Sequence, residues 1–213
     1  MKIYFDGDSW TKGNDLDEDI KYTSRFSALV SKELGAEEYN ISKSGRSNHR
    51  IVRHLLIEND ISQYDLAIIQ MSFPNRTEFF DSRVKPGRTG DVLFTNSRSP
   101  NKNLQVGKWS SVSITDTNKL KNNTEFWKQY YKEIYNETYG STYEQIFATT
   151  IRDHCKVNNV KLLLLSNNYN TNVDFDLQLQ VPRYPQGSKL HPNELGHRLI
   201  ADDILRLINE NLF

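Results

Sequence analysis

Short extended segments alternate along the chain with segments in which apolar residues recur every three or four positions. The extended segments predict strands, and the run Asp65 to Met71 is almost continuously apolar, as in strands covered on both faces. The three-to-four spacing predicts helices, because it places apolar side chains on one helical face. The predicted strands are residues 2–5, 38–41, 65–71 and 160–165. The predicted helices are residues 21–34, the stretch containing 51–56, and residues 125–139, 143–157 and 193–211.

This order of elements predicts an α/β fold with a mainly parallel sheet and helices on both faces, a three-layer α/β/α sandwich. A chain of 213 residues suits one domain, so we assign residues 1–213 to a single domain. Residues 83–123 break the alternation and are rich in Ser, Asn, Gly and Pro. We expect a long insertion there, with a short hairpin around 106–114, that is either a functional lid or a plain surface loop.

The composition narrows the classes of function. Acidic and basic residues are equal in number, 27 of each, which argues against a general nucleic-acid binder because such proteins carry a basic excess. No run approaches the roughly 20 apolar residues that span a membrane. The apolar start, residues 3–5, is too short for a secretory signal. We therefore expect neither nucleic-acid nor membrane partners, and the sequence leaves the location as cytoplasmic or undetermined.

Two segments at opposite ends of the chain carry the candidate chemistry. Ser9 follows the first predicted strand on a turn that contains Gly7, and His191 stands just before the last predicted helix. A serine is a weak nucleophile until a base removes its proton, and histidine is the usual base near neutral pH. Ligands of open α/β sheets bind outside the carboxyl ends of the strands, where both residues are expected. Together they predict a serine hydrolase.

Four segments resemble the conserved blocks of the SGNH, or GDSL, hydrolase superfamily of esterases and acetylesterases. They are Gly7-Asp8-Ser9-Trp10, Ser44-Gly45-Arg46-Ser47-Asn48, Met71-Ser72-Phe73-Pro74-Asn75 and His191-Pro192-Asn193-Glu194-Leu195-Gly196-His197. The resemblance implies a flavodoxin-like α/β/α fold with Ser9 as the nucleophile and His191 as the base. It also implies an oxyanion hole made of the Ser9 and Gly45 backbone amides and the Asn75 side chain, and no metal or other cofactor. His197 is expected to be a structural helix residue.

The chain departs from the family pattern at two places. The last block usually has an aspartate three residues before the histidine, where this chain has Ser188. Ser188 or a backbone carbonyl then orients the His191 ring, or another carboxylate replaces the missing acid. The candidate carboxylates are Asp174, Asp176 and Glu194. The third block lacks the Gly-x-Asn-Asp pattern, so Asn75 lies two residues beyond the expected position and Ser72 is a second candidate for the oxyanion hole.

The resemblance implies hydrolysis of a carboxylic ester, with a short acyl group such as acetate on a carbohydrate as the substrate. Transfer of the acyl group to an acceptor other than water uses the same intermediate and stays open. The two departures leave a second hypothesis, an inactive SGNH-like module that binds a glycan or another partner. A third hypothesis is a phosphatase of the haloacid-dehalogenase type, because Asp6 and Asp8 match part of its motif, although Trp10 occupies the Thr or Val position.

Overall fold

The computed structural model describes residues 1–81, 108–112, 124–168, 171–180, 183–188 and 190–211. Its strands are β1 (Lys2–Asp6), β2 (Glu37–Asn40), β3 (Leu66–Met71), β4 (Thr77–Asp81), β5 (Lys108–Val112), β6 (Lys161–Ser166) and β7 (Leu177–Gln178). Its helices are α1 (Ser9–Lys12), α2 (Lys21–Ser24), α3 (Phe26–Glu33), α4 (Asn48–Arg53), α5 (Thr124–Glu133), α6 (Glu137–Val157) and α7 (Glu194–Asn211). A π-helical turn, His54–Glu58, follows α4, and a short 3₁₀ turn, Ile61–Gln63, precedes β3.

The main sheet has five strands in the order β2-β1-β3-β6-β7, and all neighbouring pairs are parallel. Alternate residues of its central strands point to opposite faces. One face, with Phe5, Ile68 and Leu165, packs against α3 and α7. The other, with Tyr4 and Ile69, packs against α4 and α6. This arrangement confirms the predicted three-layer α/β/α sandwich.

Three predicted helices have different bounds in the structure. The predicted helix 21–34 is broken at Arg25, whose backbone is extended with ψ of 147°. The Arg25 guanidinium donates two hydrogen bonds of 3.1 Å to Glu38, and this pair holds the break. The predicted helices 125–139 and 143–157 are also wrong in extent, because α6 already begins at Glu137. The Asn136 side chain accepts a hydrogen bond of 2.8 Å from the Tyr139 N–H and so caps α6 there.

A second, two-stranded sheet was not predicted. Strands β4 and β5 pair antiparallel, with Thr77 opposite Val112 and Asp81 opposite Lys108. Strand β5 lies within the segment predicted as a hairpin, but its partner precedes the predicted insertion. Residues 82–107 and 113–123, which make up most of that insertion, lie outside the described residues. Within the described part of the chain, no helix is long and apolar enough to cross a membrane.

Candidate active site

Ser9 begins helix α1 at the carboxyl end of β1. Asp8 stands at the N-cap, where its Oδ1 accepts a hydrogen bond of 3.0 Å from the Trp10 N–H. The turn requires glycine at position 7, because a Cβ there would lie 2.4 Å from Thr11 Oγ1. The tight turn places Ser9 at the edge of the sheet where ligands of this fold class bind.

Asp8 ties this first turn to the third turn, residues 72–76. Its carboxylate is 1% exposed and accepts hydrogen bonds from Gln70 Nε2 at 3.0 Å and Arg76 Nη1 at 2.8 Å. The Ser72 hydroxyl donates to Asp8 Oδ2 at 3.2 Å and accepts from Arg76 Nη1 at 2.6 Å. Ser72, the second oxyanion candidate, is therefore engaged in the scaffold beside Ser9.

Asp6 fixes the same turn from within the core. Its Oδ1 accepts hydrogen bonds from the Gly7 N–H at 2.8 Å and from Arg50 Nη1 at 2.9 Å. Burial raises the pKa of Asp6, although the charge of Arg50 opposes this effect. Asp6 and Asp8 are both buried and paired with arginines, so neither carboxylate is presented to a phosphate ester. This arrangement argues against the phosphatase hypothesis.

The second turn contains Gly45 in the left-handed region, with φ of 71°. A Cβ at this position would have no atom within 4 Å, so there is room for a side chain. Glycine is favoured here because of the left-handed backbone conformation. Ser44 Oγ donates a hydrogen bond of 2.8 Å to Asn14 Oδ1. Asn48 donates to the Ser72 carbonyl at 2.9 Å and accepts from the Ser72 N–H at 2.7 Å. These contacts join all three turns at one edge of the sheet.

Asn75 lies in the third turn, where its backbone carbonyl accepts a hydrogen bond of 2.7 Å from Tyr131 Oη. With Phe73 and Pro74 it lines a groove of about 760 Å³ that extends towards the junction of α5 and α6. The assignment of the Asn75 side chain to the oxyanion hole stays a prediction.

His191 faces a carboxylate, and that carboxylate belongs to Asp15. Asp15 Oδ2 accepts a hydrogen bond of 3.2 Å from the His191 backbone N–H, and Asp15 Oδ1 lies 3.8 Å from His191 Nδ1. The Asp15 side chain is 3% exposed and the His191 side chain 21%. Nδ1 has no hydrogen-bond partner among the described residues, so Ser188 does not bond to it there. The structure thus puts the Asp15 carboxylate beside the ring.

The loop before His191 is shaped by two close approaches. A Cβ at Gly187 would lie 2.9 Å from Asp15 Oδ2, and the Gly187 N–H donates to the His191 carbonyl at 2.8 Å. A Cβ at Gly196 would lie 2.3 Å from the Pro185 carbonyl oxygen. The two glycines allow this loop to pack against Asp15 on one side and against α7 on the other.

His197 is buried, as predicted for a structural residue. Its Nδ1 accepts a hydrogen bond of 3.3 Å from the Phe26 N–H, and its ring lies against the Phe26 ring. Burial lowers the pKa of His197 to about 3, with smaller contributions from Arg25 and His191. His197 is therefore neutral at physiological pH and joins α7 to α3.

Asp15 is the residue that the sequence reasoning missed. It lies six residues after Ser9, in an acid-rich stretch of residues 15–19 that reads as a solvated loop. The sequence offers one signal against a solvated loop, which is the apolar Leu16 directly after Asp15. In the structure Leu16 is buried. Of the carboxylates considered for this role, Asp176 accepts a hydrogen bond of 2.7 Å from the Leu164 N–H.

Within the described residues, no group of three or more His, Cys, Asp or Glu side chains could hold a metal ion.

Several solved structures share this fold. The chain is 12% identical to TesA, with a TM-score of 0.52 and 98% of each chain covered. It is 11% identical to a lipolytic protein of the G-D-S-L family from Desulfitobacterium hafniense, with a TM-score of 0.51, 97% of this chain and 98% of that chain covered. It is also 11% identical to a carbohydrate esterase whose active site displays divergent catalytic and non-catalytic binding functions. This comparison has a TM-score of 0.56 and covers 99% of this chain and 69% of that chain.

These similarities confirm the predicted fold, which is that of the GDSL hydrolases. A scan against protein-family models and a search of curated proteins gave no match.

Proposed function

We propose that the chain is a serine esterase that removes a short acyl group, such as acetate, from a carbohydrate. The observation that carries the proposal is the Asp15 carboxylate 3.8 Å from Nδ1 of His191. A carboxylate at this position orients the imidazole and stabilises the imidazolium that forms during the reaction. Catalytic hydrogen bonds are often longer in the substrate-free enzyme and tighten when substrate binds. Asp15 therefore supplies the acid that the family pattern places at position 188.

In the proposed reaction, Ser9 Oγ attacks the ester carbonyl carbon while His191 takes the hydroxyl proton. The oxyanion accepts hydrogen bonds from the Ser9 and Gly45 backbone N–H groups and from the Asn75 side chain, each of which contributes about 3–4 kcal/mol. The carbon–oxygen bond to the alcohol then breaks, and His191 protonates the leaving alcohol. His191 next deprotonates a water molecule, which cleaves the acyl-serine, releases the acid and restores Ser9.

The carbohydrate part of the proposal is supported by one of the similar structures, which is a carbohydrate esterase. The fold also occurs in a lipase from a goat rumen metagenome, at 12% identity and a TM-score of 0.53. The fold therefore does not choose between sugar and lipid esters, and that choice depends on the surface next to Ser9.

The test is hydrolysis of p-nitrophenyl acetate by the wild type and by Ser9→Ala. We expect a loss of kcat on the order of 10⁶-fold, because the nucleophile is removed. A fluorophosphonate probe should label the wild type and leave Ser9→Ala unlabelled. Ser62→Ala, which changes an exposed serine in the 3₁₀ turn, is the matched control and should behave like the wild type.

Two outcomes would contradict this proposal. Undiminished turnover in Ser9→Ala would exclude Ser9 as the nucleophile. Neither turnover nor labelling in the folded wild type would instead favour the inactive binding module. Acyl transfer is detected by adding an alcohol acceptor and measuring acetate release separately from p-nitrophenol release.

A further inference from the structure

The groove beside the third turn is lined mainly by uncharged polar and aromatic side chains. Its volume is about 760 Å³, within the range of roughly 300–1,000 Å³ that is typical of small-molecule sites. A single acetyl group does not need this much space. The lining residues are Phe73, Pro74, Asn75, Tyr131, Tyr135, Asn136, Glu137, Thr138, Ser141, Thr142, Gln145, Asn168 and Asn172.

The lining is rich in amides, hydroxyls and aromatic rings. Five of these residues carry a side-chain amide and three carry an aliphatic hydroxyl, and each such group can both donate and accept hydrogen bonds. Three more are aromatic. Among the described lining residues, Glu137 alone is charged. The groove therefore offers many neutral polar contacts together with aromatic side chains, of which Phe73 is exposed.

This chemistry discriminates between classes of ligand. A long acyl chain would leave the amides without partners, at a cost of about 1–3 kcal/mol for each buried group. A phosphate or carboxylate ligand would call for an arginine or lysine, and the described lining has neither. A neutral sugar matches both components, because its hydroxyls pair with amides and its C–H faces stack on aromatic rings.

Several lining groups are held in place before any ligand binds. Asn168 Nδ2 donates to both carboxylate oxygens of the buried Glu144, at 3.2 and 3.3 Å. The Tyr135 hydroxyl lies close against Gly140, because a Cβ added at Gly140 would be only 2.2 Å from the Tyr135 hydroxyl oxygen. Asn136 is fixed by its cap of α6. Rigid lining groups of this kind reduce the entropy that is lost when a ligand binds.

The groove is joined to the turn that carries Ser9. Phe73 and Asn75 flank the groove, and the neighbouring Ser72 and Arg76 both bind Asp8 directly before Ser9. We propose that this groove binds neutral sugar units of an acylated oligosaccharide beyond the unit that carries the ester. This inference rests on the proposed esterase function for its kinetic consequences, but glycan binding itself does not require catalysis.

The kinetic test uses the double variant Gln145→Ala/Asn172→Ala, since both side chains are exposed and line the groove. We expect kcat/KM for acetylated xylotetraose or cellotetraose to fall at least 10-fold, mainly through KM, while kcat/KM for p-nitrophenyl acetate stays unchanged. Gln129→Ala, an exposed glutamine of α5 outside the groove, is the matched control. Equal losses on both substrates, or no loss on either, would overturn the proposal.

The binding test separates this inference from the proposed function. Calorimetry with Ser9→Ala and unacylated xylotetraose or cellotetraose should show binding that weakens at least fivefold when Gln145→Ala/Asn172→Ala is added. Binding that the groove variant leaves unchanged, or no binding at all, overturns the glycan groove even if the esterase is active. Groove-dependent binding by a protein without esterase activity overturns the proposed function and leaves the groove in place.

Discussion

The turn that carries Ser9 and the loop that carries His191 are built in different ways. Asp6 and Asp8, on either side of Gly7, are at most 1% exposed and pair with Arg50 at 2.9 Å and Arg76 at 2.8 Å. His191 is 21% exposed and faces its carboxylate at 3.8 Å. Buried ion pairs add little net stability, because desolvation offsets their attraction. The turn at Ser9 is thus fixed by buried carboxylates with close hydrogen bonds, whereas the Asp15 carboxylate lies beyond hydrogen-bond distance of His191 Nδ1.

The largest expected effect is a loss of catalytic activity when the carboxylate beside His191 is changed. Asp15→Asn keeps the shape of the side chain but removes the charge that stabilises the imidazolium. We expect kcat for p-nitrophenyl acetate to fall about 10³–10⁴-fold, with the melting temperature within a few degrees of the wild type. The loss should fall on kcat and leave KM nearly unchanged, because the charge of Asp15 is needed when the imidazolium forms and not when the substrate binds.

The control for Asp15→Asn is Asp19→Asn, an exposed aspartate of the same stretch. It should leave both kcat and KM unchanged. A loss of activity in Asp15→Asn that comes with a large fall in melting temperature would assign Asp15 a purely structural role.

The next largest effect concerns folding, at the nucleophile side. Arg50→Met leaves the Asp6 carboxylate buried without its cation, which costs about 3–5 kcal/mol of the free energy of unfolding. Urea denaturation monitored by circular dichroism measures this loss. For a chain of this size it corresponds to a fall of roughly 8–15 °C in the melting temperature.

A double variant sharpens this prediction. Asp6→Asn/Arg50→Met removes both charges and keeps an acceptor for the Gly7 N–H. It should be more stable than Arg50→Met alone, because the penalty in the single variant comes from the unpaired charge. A double variant that is less stable than either single variant would show that the pair itself provides the stability.

The smallest expected effect is on acid stability and arises from His197. Its pKa of about 3 in the folded state is below the unfolded value near 6.5, so the unfolded state binds the proton more tightly. This contribution is fully present above pH 6.5 and is lost as the pH falls towards 3. We expect it to remove up to about 3 kcal/mol between pH 6.5 and pH 4.

His197→Asn keeps an acceptor for the Phe26 N–H but does not titrate. Its free energy of unfolding should be lower at neutral pH and should depend less on pH than that of the wild type. Urea denaturation at pH 7, 5.5 and 4 checks this. Parallel pH dependences in the two proteins would rule out His197 as the acid-sensitive group.

Local patterns in the sequence were enough to predict four of the five strands of the main sheet and its layers, but not the two-residue strand β7. The strand Leu66–Met71 is apolar except at Gln70, and the helical spacing of residues 193–211 fixes the face of α7 that packs on the sheet. The break at Arg25 was not predictable from spacing, because it depends on an ion pair with Glu38 on another element. Strand β4 was missed because its partner, β5, lies 27 residues or more along the chain.

The candidate site shows the same division. Ser9, Gly45 and His191 stand in local motifs and were predicted, although their catalytic roles remain proposals. Asp15 was not predicted, because its importance comes from a contact with a residue 176 positions away. In the family pattern, the acid precedes the histidine closely in sequence. Here the proposed acid, Asp15, follows Ser9 in sequence and comes near His191 through tertiary packing.

Because the proposed acid, Asp15, lies outside the loop that precedes His191, this loop does not have to supply an acid. In the family pattern, one short stretch supplies both the acid and the base, so that changes in it endanger the chemistry. Here the proposed acid follows the nucleophile, and residues 171–180, which include Asn172 of the groove, carry no assigned catalytic group. In the proposed mechanism, substrate choice and acyl chemistry are thereby decoupled, and exchange of this segment should change the preference for the proposed sugar ligand without moving the proposed catalytic groups.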